Sequence, residues 1–132
     1  MSSGIVTLKE YWMGRDVKYS AQLTPEIVKN AEWLLYQVNL LRRIYAKPFI
    51  VTSGWRPPQE NKKANGARKS NHLRGLAIDL LDSDGAIDAF CYEDQEVLLN
   101  CGLYLEHPNS TPGWAHLQCV PPASRKRVFS VE

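Results

Sequence analysis

The six residues Leu76 to Leu81 constrain this chain more than any other stretch. The run is short, apolar and bounded by turn signals, which predicts a buried strand. Side chains on a strand alternate between its faces. Ala77, Asp79 and Leu81 therefore share one face, and Leu76, Ile78 and Leu80 the other. Asp79 is then a carboxylate in the middle of an apolar strand, which is costly unless it is paired or bound to a metal.

Gly75 precedes the strand and permits a sharp turn that returns His72 to Asp79. Together they offer one nitrogen and one oxygen to a divalent ion. A catalytic zinc usually takes three protein ligands and keeps an open position, so a third ligand is needed. The chain has two further histidines, His107 and His116. His116 lies in the strand-like run Gly113 to Cys119, where Trp114, His116 and Gln118 would line one face.

The pattern Ser70-x-His72-x-x-Gly75-x-Ala77-x-Asp79, followed by Trp114-x-His116, resembles the zinc D-Ala-D-Ala carboxypeptidases. Their relatives include L-alanyl-D-glutamate endopeptidases and phage cell-wall lysins, and hedgehog signalling domains share the core. The resemblance runs from about Thr24 to Cys119. It implies zinc held by His72, Asp79 and His116, and cleavage of peptidoglycan peptides. It also implies an acid three residues before the last histidine, where this chain has Gly113. The nearest acid upstream is Glu106, ten residues before His116. In a hairpin those two positions can lie directly across from one another, so Glu106 is the expected base.

Arg56 follows a predicted strand, Phe49 to Thr52. Its planar fork suits a carboxylate. Read alone it is equally a surface arginine stacked on Trp55 or paired with a local acid. The resemblance implies contact with substrate or with the developing negative charge. Ser70 and Gln118 are expected to orient the ligands, with Ser70 also facing substrate, and Trp114 is expected to wall the cleft.

Elsewhere the reading is structural. Thr24 and Pro25 start a helix. Apolar residues from Ile27 to Leu41 recur at helical spacing, and Lys47-Pro48 stops it near Ala46. Leu8 to Met13 fits a short helix. Trp12 and Tyr19 are expected to pack, and Arg15 and Asp16 to be solvated. Gln59 to Lys69 reads as a polar loop with a basic cluster. Ala86 to Asn100 reads as one helix ended by Gly102. Leu103 to Glu106 pairs with Trp114 to Cys119 as an antiparallel hairpin, leaving His107 in a solvent-facing loop. Val128 to Val131 reads as an edge strand.

These elements predict an α+β fold: a small antiparallel-rich sheet, helices on one side and the metal on the open face. One domain spanning residues 1–132, with its core at about 24–119, fits the length. A net charge of +2 is too small to argue for nucleic acid, and no nucleic-acid partner is expected. No apolar run approaches the ~20 residues of a membrane span. Three cysteines without C-x-x-C spacing argue for buried free thiols in a reducing compartment. Met1 to Val6 has no basic-then-apolar leader, so cytoplasmic synthesis is expected. The family reading adds a phage or prophage lysin that reaches the wall through a holin or a virion. A monomeric zinc metallopeptidase, carboxypeptidase or endopeptidase, is thus expected. The rival is a zinc-containing binding or structural module that keeps the ligands without an effective base.

Overall fold

The computed structural model describes residues 5–130. The predictions that fall on Met1 to Gly4 and on Val131 lie outside them. Six α-helices and a five-stranded sheet are described. Helix α1 is Leu8–Trp12, α2 Arg15–Lys18 and α3 Pro25–Tyr45; strand β1 is Val51–Ser53, followed by helix α4, Pro58–Lys63. Strand β2 is Ala77–Asp82, helix α5 Ala86–Glu93, α6 Gln95–Cys101, and strands β3, β4 and β5 are Tyr104–Glu106, Gly113–Gln118 and Val128–Phe129. The sheet order is β1-β2-β4-β3-β5, and every pair is antiparallel except β3 with β5. This is the α+β, antiparallel-rich architecture expected from the sequence.

Helix α3 forms where its signals lie. The Thr24 hydroxyl accepts from the Ile27 amide, Pro25 occupies the first turn, and Ala46 closes the helix in the left-handed region. Ala31, Leu34, Leu35, Val38 and Leu41 are buried on its inner stripe. They meet Ile78 and Leu80 of β2, Leu105 of β3, and Ala115 and Leu117 of β4 in one apolar cluster. Each fully buried leucine there contributes roughly 1.5–3 kcal/mol. Packing this face leaves the alternate residues of β2, β3 and β4 on the sheet's other side, and those residues build the site.

Three local expectations are corrected. Residues 59–69 are not all loop, because Pro57-Pro58 starts α4 and its Asn61 is buried. The helix expected over 86–100 is two helices, broken where Asp94 leaves helical geometry at φ −130° and ψ 74°. The buried positions Ile87, Cys91, Leu98 and Cys101 fit a continuous helix as well as a broken one, so periodicity carried no sign of the break. Arg15 is not merely solvated: it donates to the Trp55 carbonyl at 2.9 Å and lies 3.7 Å from Glu60.

The start of α5 holds a buried carboxyl pair. Asp82 accepts the amides of Ile87 and Asp88, as the unpaired donors of a helix start require. Asp88 accepts from Thr111, but its Oδ1 is buried without a hydrogen-bond partner among the described residues. Burial pushes its pKa up to about 6. A carboxyl raised in the folded state disfavours folding above that pKa, and the penalty fades as pH falls toward the unfolded value. Asp88→Asn is therefore expected to raise stability at pH 7 by about 1 kcal/mol and to do little at pH 4. Urea midpoints at the two pH values check it; an equal gain at both would refute the ionisation argument.

Candidate metal centre

His72 sits in a 3₁₀ turn, Asn71–Arg74, between α4 and β2. The Ser70 hydroxyl accepts from the His72 amide, and Gly75 closes the turn at φ +75°. A side chain at Gly75 would also meet the Ile27 carbonyl of α3 at 2.9 Å, so the turn needs glycine for two reasons. Three bonds fasten the turn to the segment after β1. The His72 carbonyl accepts from the Arg56 amide at 3.0 Å, the Leu73 carbonyl accepts from Trp55 Nε1 at 3.2 Å, and His72 Nδ1 donates to the Gly54 carbonyl at 2.8 Å. Gly54 itself has no room for a side chain, since a Cβ there would lie 1.9 Å from the Tyr11 carbonyl. Gly54→Ala should cost about 1–3 kcal/mol through overpacking and also weaken metal binding by tilting His72. A chemical denaturation midpoint and a metal titration on the same variant test both parts.

Asp79 and His116 arrive through sheet register. They are Cα partners across β2 and β4, on the face opposite Ile78 and Leu80. His116 Nδ1 lies 2.8 Å from Asp79 Oδ1, and His72 Nε2 lies 3.3 Å from the same oxygen. One ligand atom from each residue falls within 4.8 Å of the others.

The neighbours fix which nitrogen of each ring carries its proton. A carbonyl oxygen faces His72 Nδ1, so Nδ1 holds the hydrogen and Nε2 keeps its lone pair. That Nε2 is buried and has no hydrogen-bond partner among the described residues. Gln118 donates its Nε2 to the Val120 carbonyl at 2.9 Å, which turns Oε1 toward His116 Nε2 at 3.0 Å. In neutral His116 the hydrogen is then on Nε2 and the lone pair on Nδ1. Three electron-rich atoms thus converge with no hydrogen between them, an arrangement that a cation relieves. Two imidazole nitrogens and a carboxylate oxygen are a donor set that zinc accepts. The residues present fit the metal.

Electrostatics agree with this. Burial works to raise the Asp79 pKa, but the two imidazoles beside it, His116 and His72, more than reverse that and hold the carboxyl well below the usual range. Burial lowers the His72 pKa. Burial would lower that of His116 too, yet the Asp79 bond and charge more than reverse it. A proton on His116 is therefore the competitor a metal must displace.

The other predicted residues fall around a cleft of about 510 Å³ that includes all three of these side chains. Ser70, Glu106, Trp114 and Gln118 line it. Tyr104 and Leu105 of β3 face Gln118 and Leu117 of β4, and one further step in that register sets Glu106 against His116. Glu106 is half-buried, and burial raises its pKa above the ordinary glutamate value. His107 turns away. Its Nδ1 accepts from the Asn109 amide, and its ring packs edge-on against Tyr92.

Arg56 lines the cleft, but not as a free anion clamp. Nε donates to Ser53 Oγ at 2.9 Å, Nη1 to Asn61 Oδ1 at 3.2 Å, and Nη2 to Asp79 Oδ2 at 3.1 Å. Ser53, Gly54 and Asn61 were not found from sequence; only the Ser-Gly-Trp-Arg run ahead of the turn hinted at them.

A family model described as Peptidase M15 matches residues 12–113. The match includes His72, Asp79 and Glu106 and ends before His116. Among solved structures, the L-Ala D-Glu endopeptidase ChiX of Serratia marcescens aligns with a TM-score of 0.49 at 20% identity, over 74% of this chain and 89% of that one. No curated protein matches the chain.

Proposed function

The chain belongs to the Peptidase M15 family, and on that premise we propose that it is a zinc metallopeptidase hydrolysing D-amino-acid-containing peptide bonds of peptidoglycan. The observation that carries the zinc part is the convergence of His72 Nε2, Asp79 Oδ1 and His116 Nδ1, each with its other polar atom held by the protein. These three atoms would hold the ion. Bound there, zinc polarises a carbonyl and acidifies a water.

The chain's own groups supply the rest. Glu106, on the strand beside His116, takes the proton of the attacking water on its carboxylate and returns it to the departing amine. Its burial in the cleft wall brings its basicity closer to the working pH. Trp114 covers one side of the cleft, where an indole excludes bulk water. Ser70 lines the cleft too; its oxygen fixes the His72 turn, and its hydroxyl is assigned to the substrate. Arg56 keeps the role expected of it toward the developing negative charge: Ser53, Asn61 and Asp79 take three of its five N–H groups, and it lines the same cleft.

The test is digestion of purified muropeptides, with and without a chelator, followed by mass analysis. New fragments that disappear with chelator and return with zinc are expected, and their masses give the bond cut. Bound metal without fragments from any muropeptide would favour the non-catalytic binding module instead.

A further inference from the structure

The two oxygens of Asp79 have separate partners. Oδ1 faces both imidazoles, and Oδ2 accepts from Arg56 Nη2 at 3.1 Å. Arg56 is itself held in place. Its Nε is bonded to Ser53 at the end of β1, and its Nη1 to the buried Asn61 of α4. Asn61 in turn donates to the Ala67 carbonyl at 3.0 Å, and its own carbonyl accepts from the Gly66 amide at 2.9 Å. A Cβ on Gly66 would lie 2.0 Å from Asn61 Oδ1 and 2.7 Å from Arg56 Nη1, so the backbone closes directly over this pair. Asp79 and Arg56 each expose 11% of the side chain. A buried carboxylate oxygen leaves such a donor only for an equally strong partner.

A free carboxylate can bind a metal through one oxygen or both. We infer that Arg56, anchored by Ser53 and Asn61, is a positioning residue that restricts Asp79 to one metal-facing oxygen. That restriction leaves room beside the ion for substrate and water. This inference rests on the zinc reading above and adds to it: what is specified is the number of oxygens Asp79 presents, and the residues that set it. The same network ties the 64–70 loop, which lines the cleft, to the metal-facing carboxylate. It also explains why an arginine placed like an anion clamp is bonded inward on all three nitrogens.

Cobalt(II) is the probe, because its visible absorption is intense when four-coordinate and weakens on going to five. The full-length protein and Arg56→Met are titrated with cobalt(II), and zinc affinity is measured by competition. For the wild type we expect the four-coordinate spectrum. For Arg56→Met we expect the weaker five-coordinate spectrum as Oδ2 closes on the metal, with muropeptide turnover reduced about 10–100-fold and zinc affinity changed less than about tenfold. Asn61→Ala removes one anchor and leaves the ligands and Arg56 in place. It should move the spectrum the same way by a smaller amount, and it stands in if Arg56→Met does not fold. An unchanged four-coordinate spectrum in the folded variants overturns the inference, and lost turnover beside it would assign Arg56 to the substrate. Failure of the wild type to bind cobalt or zinc is a separate result, which removes the metal reading itself.

Discussion

Glu106→Gln is expected to reduce muropeptide turnover by about 10²–10⁴-fold, the usual contribution of a positioned general base. Bound zinc should be unchanged, because the ligand atoms belong to His72, Asp79 and His116 and Glu106 contributes none of them. The amide keeps the size and much of the hydrogen bonding of the acid but cannot take a proton. The wild-type pH profile supplies an independent check. Burial raises the Glu106 pKa, and only the ionised carboxylate acts as base. Activity should therefore fall on the acid side through a pKa above that of an ordinary glutamate, and the residual activity of the variant should lack that limb. Wild-type rates from Glu106→Gln would remove Glu106 from the mechanism and leave the base unassigned.

Zinc should stabilise the fold strongly. A ligand that binds only the native state contributes about 4 kcal/mol at a free concentration a thousandfold above its Kd. For a chain of this length that corresponds to a rise in Tm of roughly 10–20 °C. The physical source is the cluster itself: without a metal, Asp79 Oδ1 beside two imidazoles is relieved by a proton on His116. The sign with pH follows. In the metal-free protein, the His116–Asp79 pair contributes stability below the ordinary histidine pKa, and that contribution is lost as pH rises through the raised one. Zinc must displace the same proton, so the zinc-induced rise in Tm should shrink as pH falls through that pKa. Asp79→Ala should abolish the rise at every pH. Thermal melts with and without zinc at pH 6 and pH 8 test this, and a melt indifferent to zinc at pH 8 would sink the metal assignment.

Much of this was legible along the chain. Thr24, Pro25 and the apolar stripe from Ile27 to Leu41 determined α3, because capping and helical periodicity are local properties. The apolar run around Asp79 determined both a buried strand and a carboxylate needing a partner, because burying an unpaired charge is prohibitive in any fold. The motif from Ser70 to Asp79 identified the turn and two of the three side chains that converge. Helix α4 was hidden because its sequence is polar, and its ties to the rest of the fold are polar too: Asn61 accepts from Arg56, and Glu60 accepts from Tyr19 and lies beside Arg15. The break at Asp94 was hidden because both readings bury the same residues.

Only the tertiary structure decided how these groups are used. The ten-residue separation of Glu106 and His116 becomes adjacency once β3 and β4 fix their register. Which nitrogen of His72 faces Asp79 and His116 depends on the carbonyl of Gly54, eighteen residues away. That Arg56 is anchored to Ser53, Asn61 and Asp79 while lining the cleft is likewise a property of the assembled fold. Sequence pattern reports what each residue needs, namely burial, a partner or a turn. Which partner meets that need is settled by strand register and chain crossings, and those exist only in the assembled fold.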